Sequence, residues 1–86
     1  MITISGHKIK DPVGIHARPA GKLVTLLKPY KSKVTLLSGD SKIDAKALLA
    51  MMKTGIKYND IISFVIEGED EDVVNAVLVE FLETNF

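Results

Sequence analysis

Short segments with strand-like and helix-like apolar spacing alternate along the 86 residues of this chain, and their order restricts the fold more than any other feature. Alternation with a period of two predicts a strand, whereas apolar residues at i, i+3, i+4 and i+7 predict an amphipathic helix. From the N-terminus, the segments run strand, helix, strand, strand, helix, strand, helix. Helices that pack on one face of an antiparallel sheet give a two-layer α+β domain, which is the fold we expect.

The first strand is predicted to change face partway along its length. Ile2 and Ile4 alternate with polar residues, but His7 and Ile9 continue on the opposite parity. A glycine at position 6 fits a β-bulge at this change. We interpret His7 as a histidine packed within the sheet, because it shares its parity with Ile9.

The first helix is predicted from four apolar residues at helical spacing, Ala20, Leu23, Val24 and Leu27. Pro19 lies in the first turn, where no backbone N–H is needed. Pro29 ends the helix, because proline disfavours the helical conformation of the residue before it.

The remaining segments are a hairpin, a short helix, a central strand and a last helix. The hairpin turns at residues 38–40. The second helix, of about two turns, contains Leu48, Leu49, Met51 and Met52, with Met51 buried, and it closes at Gly55 as a left-handed C-cap. Ile62, Phe64 and Ile66 alternate with a second, partly apolar face, which indicates a central strand. The acidic run at residues 69–72 is interpreted as a helix start rather than a metal site.

Length and composition restrict the class of protein. We expect a single domain over residues 1–86, too small to enclose a deep substrate cavity. Eleven Lys+Arg against eleven Asp+Glu give no basic field for nucleic acid, and two histidines without cysteine do not support a transition-metal site. No apolar run is long enough for a signal peptide or a membrane span, so we expect a soluble, cytoplasmic protein without direct membrane insertion.

One heptapeptide, GIHARPA at residues 14–20, brings chemistry to the start of the first helix. The N-terminus of a helix offers unpaired N–H groups and a partial positive charge, which together form an anion site. His16 is a nucleophile beside this anion site, and the planar guanidinium of Arg18 can bind two oxygens. This arrangement indicates phosphoryl chemistry.

The heptapeptide resembles the active-site signature of the HPr family, the histidine-containing phosphocarriers of the bacterial phosphoenolpyruvate-dependent sugar phosphotransferase system. The resemblance runs the length of the chain, with further matches at residues 44–46, 48–52, 55–56 and 68–71. It implies an open-faced β-sandwich, in which a four-stranded antiparallel sheet is covered on one face by three helices in the order βαββαβα.

The resemblance also implies roles for individual residues. His16 is the residue phosphorylated, on its Nδ1 (pros) nitrogen, and the backbone N–H groups of Ala17 and Arg18 bind the phosphoryl group. The positive helix end disfavours imidazolium, which keeps His16 neutral and nucleophilic near pH 7. Such a protein is a stoichiometric carrier rather than an enzyme, and it needs no cofactor.

The partners implied are enzyme I, which donates the phosphoryl group, and sugar-specific enzyme IIA proteins, which accept it. The family's docking surface corresponds here to a docking patch of seven residues, Ala17, Gly21, Lys22, Lys28, Leu48, Leu49 and Met52. A short helix cannot bury all of its large apolar residues on one stripe, so some must be exposed for transient partners. We expect a monomer.

One position departs from the family pattern. Members regulated by a dedicated kinase carry a phosphorylatable serine at the start of the second helix, where this chain has Ala47. The serine-based role of the family in carbon catabolite control is therefore not expected here. Two alternatives stay open beside the sugar phosphocarrier, because the site chemistry would be the same and only the partners would differ. The chain could be a regulatory module whose phosphohistidine is a signal read by a transcription factor or kinase, or a paralogue serving nitrogen regulation or dihydroxyacetone phosphorylation.

Overall fold

The computed structural model describes residues 1–15 and 17–86, and these form four strands and three helices in the order βαββαβα. The elements are β1 (Ile2–Lys8), α1 (Ala17–Leu27), β2 (Lys33–Ser38), β3 (Ser41–Asp44), α2 (Leu48–Met52), β4 (Ile61–Glu67) and α3 (Glu71–Asn85). The predicted order of elements is confirmed.

The described strands make one antiparallel sheet in the order β1-β4-β2-β3. β4 pairs with β1 on one side and with β2 on the other, which confirms its prediction as a central strand. Its alternate residues Ile62, Phe64 and Ile66 are buried under the helices, while Val65 is half-buried on the open face. This is the open-faced α+β architecture expected from the sequence.

The bulge predicted in β1 is present. The pairing of β1 with β4 shifts register between Ile4 and His7, and Gly6 there has a φ of 70°. The Gly6 N–H donates to the Ser63 hydroxyl at 3.2 Å, so the displaced amide of the bulge remains hydrogen-bonded. The bulge brings His7 opposite Ile62 and leads the chain to the fully buried Ile9.

α1 buries the apolar stripe predicted for it, because Ala20, Leu23, Val24 and Leu27 are all buried. The helix ends at Leu27, two residues before Pro29, as proline requires. α1 packs against both α2 and α3, and α3 packs on β1 and β4. α1 therefore lies between α2 and α3 in the helical layer.

The hairpin of β2 and β3 turns through Gly39 and Asp40, as predicted. α2 has five residues and buries Met51, but its C-cap is Lys53 in a right-handed conformation, so the predicted C-cap at Gly55 is wrong. Gly55 does adopt a left-handed conformation, with a φ of 69°, two residues further on. Ile56, the residue after Gly55, is buried.

The acidic run begins α3, as predicted, with Asp70 as N-cap and Glu71 and Asp72 in the first turn. The Asp70 side chain makes no cap bond to its own helix. Instead it accepts hydrogen bonds from the Lys31 N–H at 2.8 Å, the Ser32 N–H at 2.9 Å and the Ser32 hydroxyl. We call these three residues, together with Gly68, whose backbone lies against Ser32, the Asp70 clasp.

Candidate functional site

The loop that leads into α1 is shaped by its own aspartate. In this site loop, residues 11–15, one carboxylate oxygen of Asp11 accepts the Val13 N–H at 2.9 Å, and the Asp11 carbonyl accepts the Gly14 N–H at 2.9 Å. A carboxylate that bonds the backbone two residues on is the usual device of an Asx turn. The turn leaves the Val13 side chain 69% exposed beside the start of α1.

The end of the site loop is fixed against the segment that follows α2. The Ile15 N–H donates to the Ile56 carbonyl at 3.2 Å, and both side chains are buried. Gly14 has a φ of 82°, and a Cβ atom there would lie 2.4 Å from the Ile56 carbonyl oxygen. Only glycine fits this close approach without a shift of backbone. This anchor was not predicted from the sequence, although the glycine that opens the heptapeptide was a signal for it.

His16, the predicted phosphorylation residue, lies outside the described residues. The structure describes the residues on both sides of it, namely the anchored Ile15 and the first turn of α1. α1 begins at Ala17, and both Ala17 and Arg18 are exposed while Pro19 is buried. The first N–H groups of an α-helix lack intrahelical acceptors, so this turn presents donors where the sequence predicts a phosphoryl-binding backbone.

Arg18 lies at a shallow pocket of about 250 Å³ between the start of α1 and the end of α3. The lining residues are Asp11, Arg18, Pro19, Lys22, Thr84 and Asn85. Arg18 and Lys22 are four residues apart and so lie on one face of α1. The pocket combines two cations with one carboxylate. Sequence reasoning identified both cations but missed Asp11, which reaches the pocket only through the fold of the site loop.

The predicted docking patch is exposed to different degrees. Leu48, Leu49 and Met52 of α2 are 37%, 71% and 44% exposed, and Met51 beside them is fully buried. Lys22 and Lys28 of α1 are exposed, as is Ala17, and Gly21 is half-buried. Because α1 packs against α2, the structure brings these apolar and cationic side chains to adjoining helices.

Ala47 is the N-cap of α2 and is half-buried. Its N–H donates to the Asp44 carbonyl at 3.0 Å, and its carbonyl accepts the Met51 N–H at 3.0 Å. The predicted regulatory position therefore lies directly before Leu48 of the docking patch.

His7 is half-buried in β1, and its Nε2 atom is buried without a hydrogen-bond partner among the described residues. Burial lowers the pKa of this imidazole, with a smaller lowering by the charge of Lys10, while the Phe86 backbone opposes the change. His7 therefore stays neutral at a pH where an exposed histidine begins to take up a proton. This environment fits the interpretation of His7 as a packed strand residue.

The described residues contain neither a metal-ligand cluster nor a membrane-spanning helix. Residues 1–15 and 17–86 contain no group of three or more His, Asp or Glu side chains that could hold a metal ion. No helix in these same ranges is long and apolar enough to cross a membrane.

Comparisons with known proteins identify a family for most of the chain. A family model described as the PTS HPr component phosphorylation site matches residues 6–84. The phosphocarrier protein HPr of Mycoplasma genitalium is 38% identical over 78 residues, which are 90% of this chain and 89% of that protein.

A longer relative and a solved structure extend the comparison. Multiphosphoryl transfer protein 1 of Escherichia coli strain K12 is 38% identical over 77 residues, 87% of this chain but 9% of that protein, so the chain spans only a small part of such relatives. The crystal structure of HPr-C-His from Thermoanaerobacter tengcongensis has a TM-score of 0.90 at 28% identity and covers 100% of this chain and 96% of that chain.

Proposed function

Because this chain belongs to the HPr family of the phosphoenolpyruvate-dependent phosphotransferase system, we propose that it carries a phosphoryl group on His16 from enzyme I to sugar-specific enzyme IIA proteins. The observation that carries the proposal is the arrangement on either side of His16. The site loop is anchored on Ile56 up to Ile15, and an exposed helix start with Arg18 begins at Ala17.

In the proposed transfer, the Nδ1 lone pair of His16 attacks the phosphorus of the donor's phosphohistidine. The new N–P bond forms as the donor's N–P bond breaks, and the donor nitrogen keeps the electron pair of the broken bond. Such a transfer needs mainly positioning and charge stabilisation rather than new covalent chemistry from the protein. The N–H groups of Ala17 and Arg18 and the Arg18 guanidinium supply donors for the phosphoryl oxygens.

The docking patch supports the proposed partners. Leu49 and Met52 give an exposed, adaptable apolar surface, and Lys22 and Lys28 add cations on the adjoining helix. A small apolar surface with a charged rim suits complexes that form and separate quickly. We propose accordingly that the chain acts as a single monomeric domain over residues 1–86 in the cytoplasm, as a carrier rather than an enzyme.

The test is phosphorylation by phosphoenolpyruvate and enzyme I, followed by intact-mass measurement at neutral pH. We expect one acid-labile phosphoryl group on the wild type and on His7→Ala, and none on His16→Ala. His7→Ala is the matched control, because it removes the other histidine of the chain. Phosphorylation of His16→Ala on His7 would refute the proposal.

A second step separates the sugar carrier from the alternative of a paralogue in nitrogen regulation or dihydroxyacetone phosphorylation. The phosphorylated protein is offered to a panel of IIA proteins and to the corresponding acceptors of the other branches. Transfer to a sugar-specific IIA protein is the expected result. Exclusive transfer to another acceptor would assign the chain to that branch.

Ala47 supports a further expectation within this proposal. Alanine has no hydroxyl, so a bifunctional serine kinase with ATP should leave the protein unmodified, whereas Ala47→Ser should create a target directly before the docking patch. The added phosphate would put about two negative charges there, which weakens binding of enzyme I. Equal affinity of enzyme I for the wild type and phosphorylated Ala47→Ser would argue against α2 as a docking surface.

A further inference from the structure

A carboxylate shares the pocket of the two site cations. Asp11 lines the same cavity of about 250 Å³ as Arg18 and Lys22, and it also lines the adjoining cavity of about 210 Å³ with Lys10 and Glu83. Opposite charges that line one shallow pocket attract one another, and dissolved salt weakens this attraction.

One oxygen of the Asp11 carboxylate is bonded within its own loop. The Val13 N–H donates to Oδ1 of Asp11, the Gly14 N–H donates to the Asp11 carbonyl, and Gly14 lies against Ile56. At the end of α3, the Asn85 amide donates to the Phe81 carbonyl and to the Thr84 hydroxyl. Residues that line the pocket beside the two cations of α1 are therefore hydrogen-bonded within their own segments.

We propose that Asp11 is a positioning residue that competes electrostatically with the phosphoryl group for Arg18 and Lys22, and so sets how readily the chain gives that group up. The inference rests on the proposed function of His16. A phosphoryl group that arrives beside Arg18 brings about two negative charges. The Asp11 carboxylate repels these charges and draws the two cations toward itself, which raises the free energy of the phosphorylated form relative to the free form.

This competition has a direct consequence for a carrier. A phosphoryl group bound too tightly by Arg18 and Lys22 would be accepted from the donor but released slowly to the acceptor. A fixed carboxylate at the edge of the pocket limits that binding without removing it. Asp11 therefore favours onward transfer, and its removal favours retention.

The experiment separates the charge of Asp11 from its role in the turn. Asp11→Asn removes the charge but keeps an Oδ1 that can accept the Val13 N–H, whereas Asp11→Ala removes both. Asp44→Asn is the matched control, because Asp44 accepts the Lys46 N–H two residues on at 2.9 Å in a turn of the same kind that does not line this pocket. All three variants and the wild type are equilibrated with enzyme I and phosphoenolpyruvate at limiting ratios, at low and high salt.

We expect Asp11→Asn and Asp11→Ala to shift the equilibrium toward the phosphorylated carrier by roughly three- to tenfold, with a smaller shift at high salt. Asp44→Asn should match the wild type. An Asp11→Asn protein that behaves as the wild type, whatever Asp11→Ala does, would overturn the proposal.

A second measurement does not depend on phosphorylation of the histidine. Inorganic phosphate is titrated into the ¹⁵N-labelled proteins while the Arg18 side-chain signal is followed by NMR. Asp11→Asn should bind phosphate at least about threefold more tightly than the wild type. If His16 is not phosphorylated at all, the proposed function fails, and this titration alone then decides whether Asp11 weakens anion binding beside Arg18; equal affinity would refute that effect.

Discussion

Two regions of this molecule contain the same types of residue but contribute differently to the protein. The site loop and the Asp70 clasp each contain a glycine with positive φ pressed against another segment, Gly14 against Ile56 and Gly68 against Ser32. Each also contains an aspartate that accepts backbone N–H groups. In the site loop this aspartate bonds a residue only two positions away, whereas Asp70 bonds residues 38 and 39 positions away in the chain.

The range of the bonds determines what each region contributes. The clasp joins the start of β2 to the start of α3 around the fully buried Ser32, so a change there should be felt by the whole fold. The site loop forms its turn locally, leaves Val13 exposed and is followed by the exposed Arg18 in the first turn of α1. A change there should be felt by phosphoryl transfer. We therefore expect changes in the clasp to affect stability most and changes at the site loop or at Arg18 to affect transfer.

The largest effect is expected for Gly68→Ala in the clasp. A Cβ at this position would lie 2.6 Å from Cα and 2.7 Å from Oγ of Ser32, at a φ of 155° that side chains rarely adopt. We expect a loss of about 3 kcal/mol in the free energy of unfolding. Urea denaturation measures it, with Gly39→Ala as control, because Gly39 also has a positive φ but open space for a Cβ. Equal losses for the two variants would show that the contact with Ser32 is unimportant.

Gly14→Ala should affect both stability and transfer. The new Cβ would meet the Ile56 carbonyl oxygen, but the short site loop can move outward, so we expect a loss of about 2 kcal/mol in the free energy of unfolding. The same movement displaces the residues leading into His16, and the transfer rate should fall by at least about tenfold. Stopped-flow transfer to enzyme IIA at a temperature where the variant is folded checks this. An unchanged rate would separate the Gly14 anchor from the site.

Arg18→Lys should change transfer without changing stability. Lysine keeps the positive charge at this exposed position but loses the planar pair of donors that binds two oxygens. We expect transfer to enzyme IIA to slow by about tenfold while the thermal midpoint stays within error. Lys42→Arg is the control, because Lys42 is an exposed cation on β3, outside the docking patch. A transfer rate equal to that of the wild type would exclude a two-oxygen contact.

The smallest effect is the pH dependence contributed by the clasp. The Ser32 hydroxyl, followed by the Lys31 and Ser32 N–H groups, lowers the pKa of Asp70 from its usual value of 3.8. A carboxyl whose pKa is lowered by folding stabilises the fold above its usual pKa, and this contribution is lost as the pH falls through the lowered value. The wild type should therefore lose stability below about pH 3.8 more steeply than Asp70→Asn.

Denaturation midpoints measured from pH 5 downward test this slope, since the range begins above the usual pKa of 3.8 and extends below it. Asp40→Asn, in the hairpin turn, is the control with the same change of charge. A slope for Asp70→Asn equal to those of the wild type and the control would contradict the assignment of the clasp as a stabilising contact.

The sequence predicted the features that depend on local periodicity. The buried stripe of α1, the bulge near Gly6 and the burial of Met51 all follow from spacing and from glycine, and the structure confirms them. The family motif likewise indicated where an exposed arginine would begin a helix. These features need no knowledge of which distant segments meet.

The features that sequence analysis missed depend on such meetings. The acidic run was correctly predicted as a helix start, but the bonds from the Asp70 carboxylate to Ser32 and Lys31 across the fold were not predicted. Gly55 was predicted as the C-cap of α2, but the C-cap is Lys53. Asp11 reaches the Arg18 pocket only because the site loop is anchored on Ile56. Local propensity does not report which backbone atoms a tertiary contact will need.

The most direct test of the account is to identify the nitrogen that carries the phosphoryl group. The protein is labelled with ¹⁵N, phosphorylated with phosphoenolpyruvate and enzyme I, and studied by long-range ¹H–¹⁵N correlation of both histidine rings. We predict phosphorylation of His16 on Nδ1. The His7 ring should carry no phosphoryl group and should stay neutral, as before phosphorylation. A phosphoryl group on Nε2 of His16, or on either nitrogen of His7, would contradict the proposed role of the anchored site loop and the start of α1.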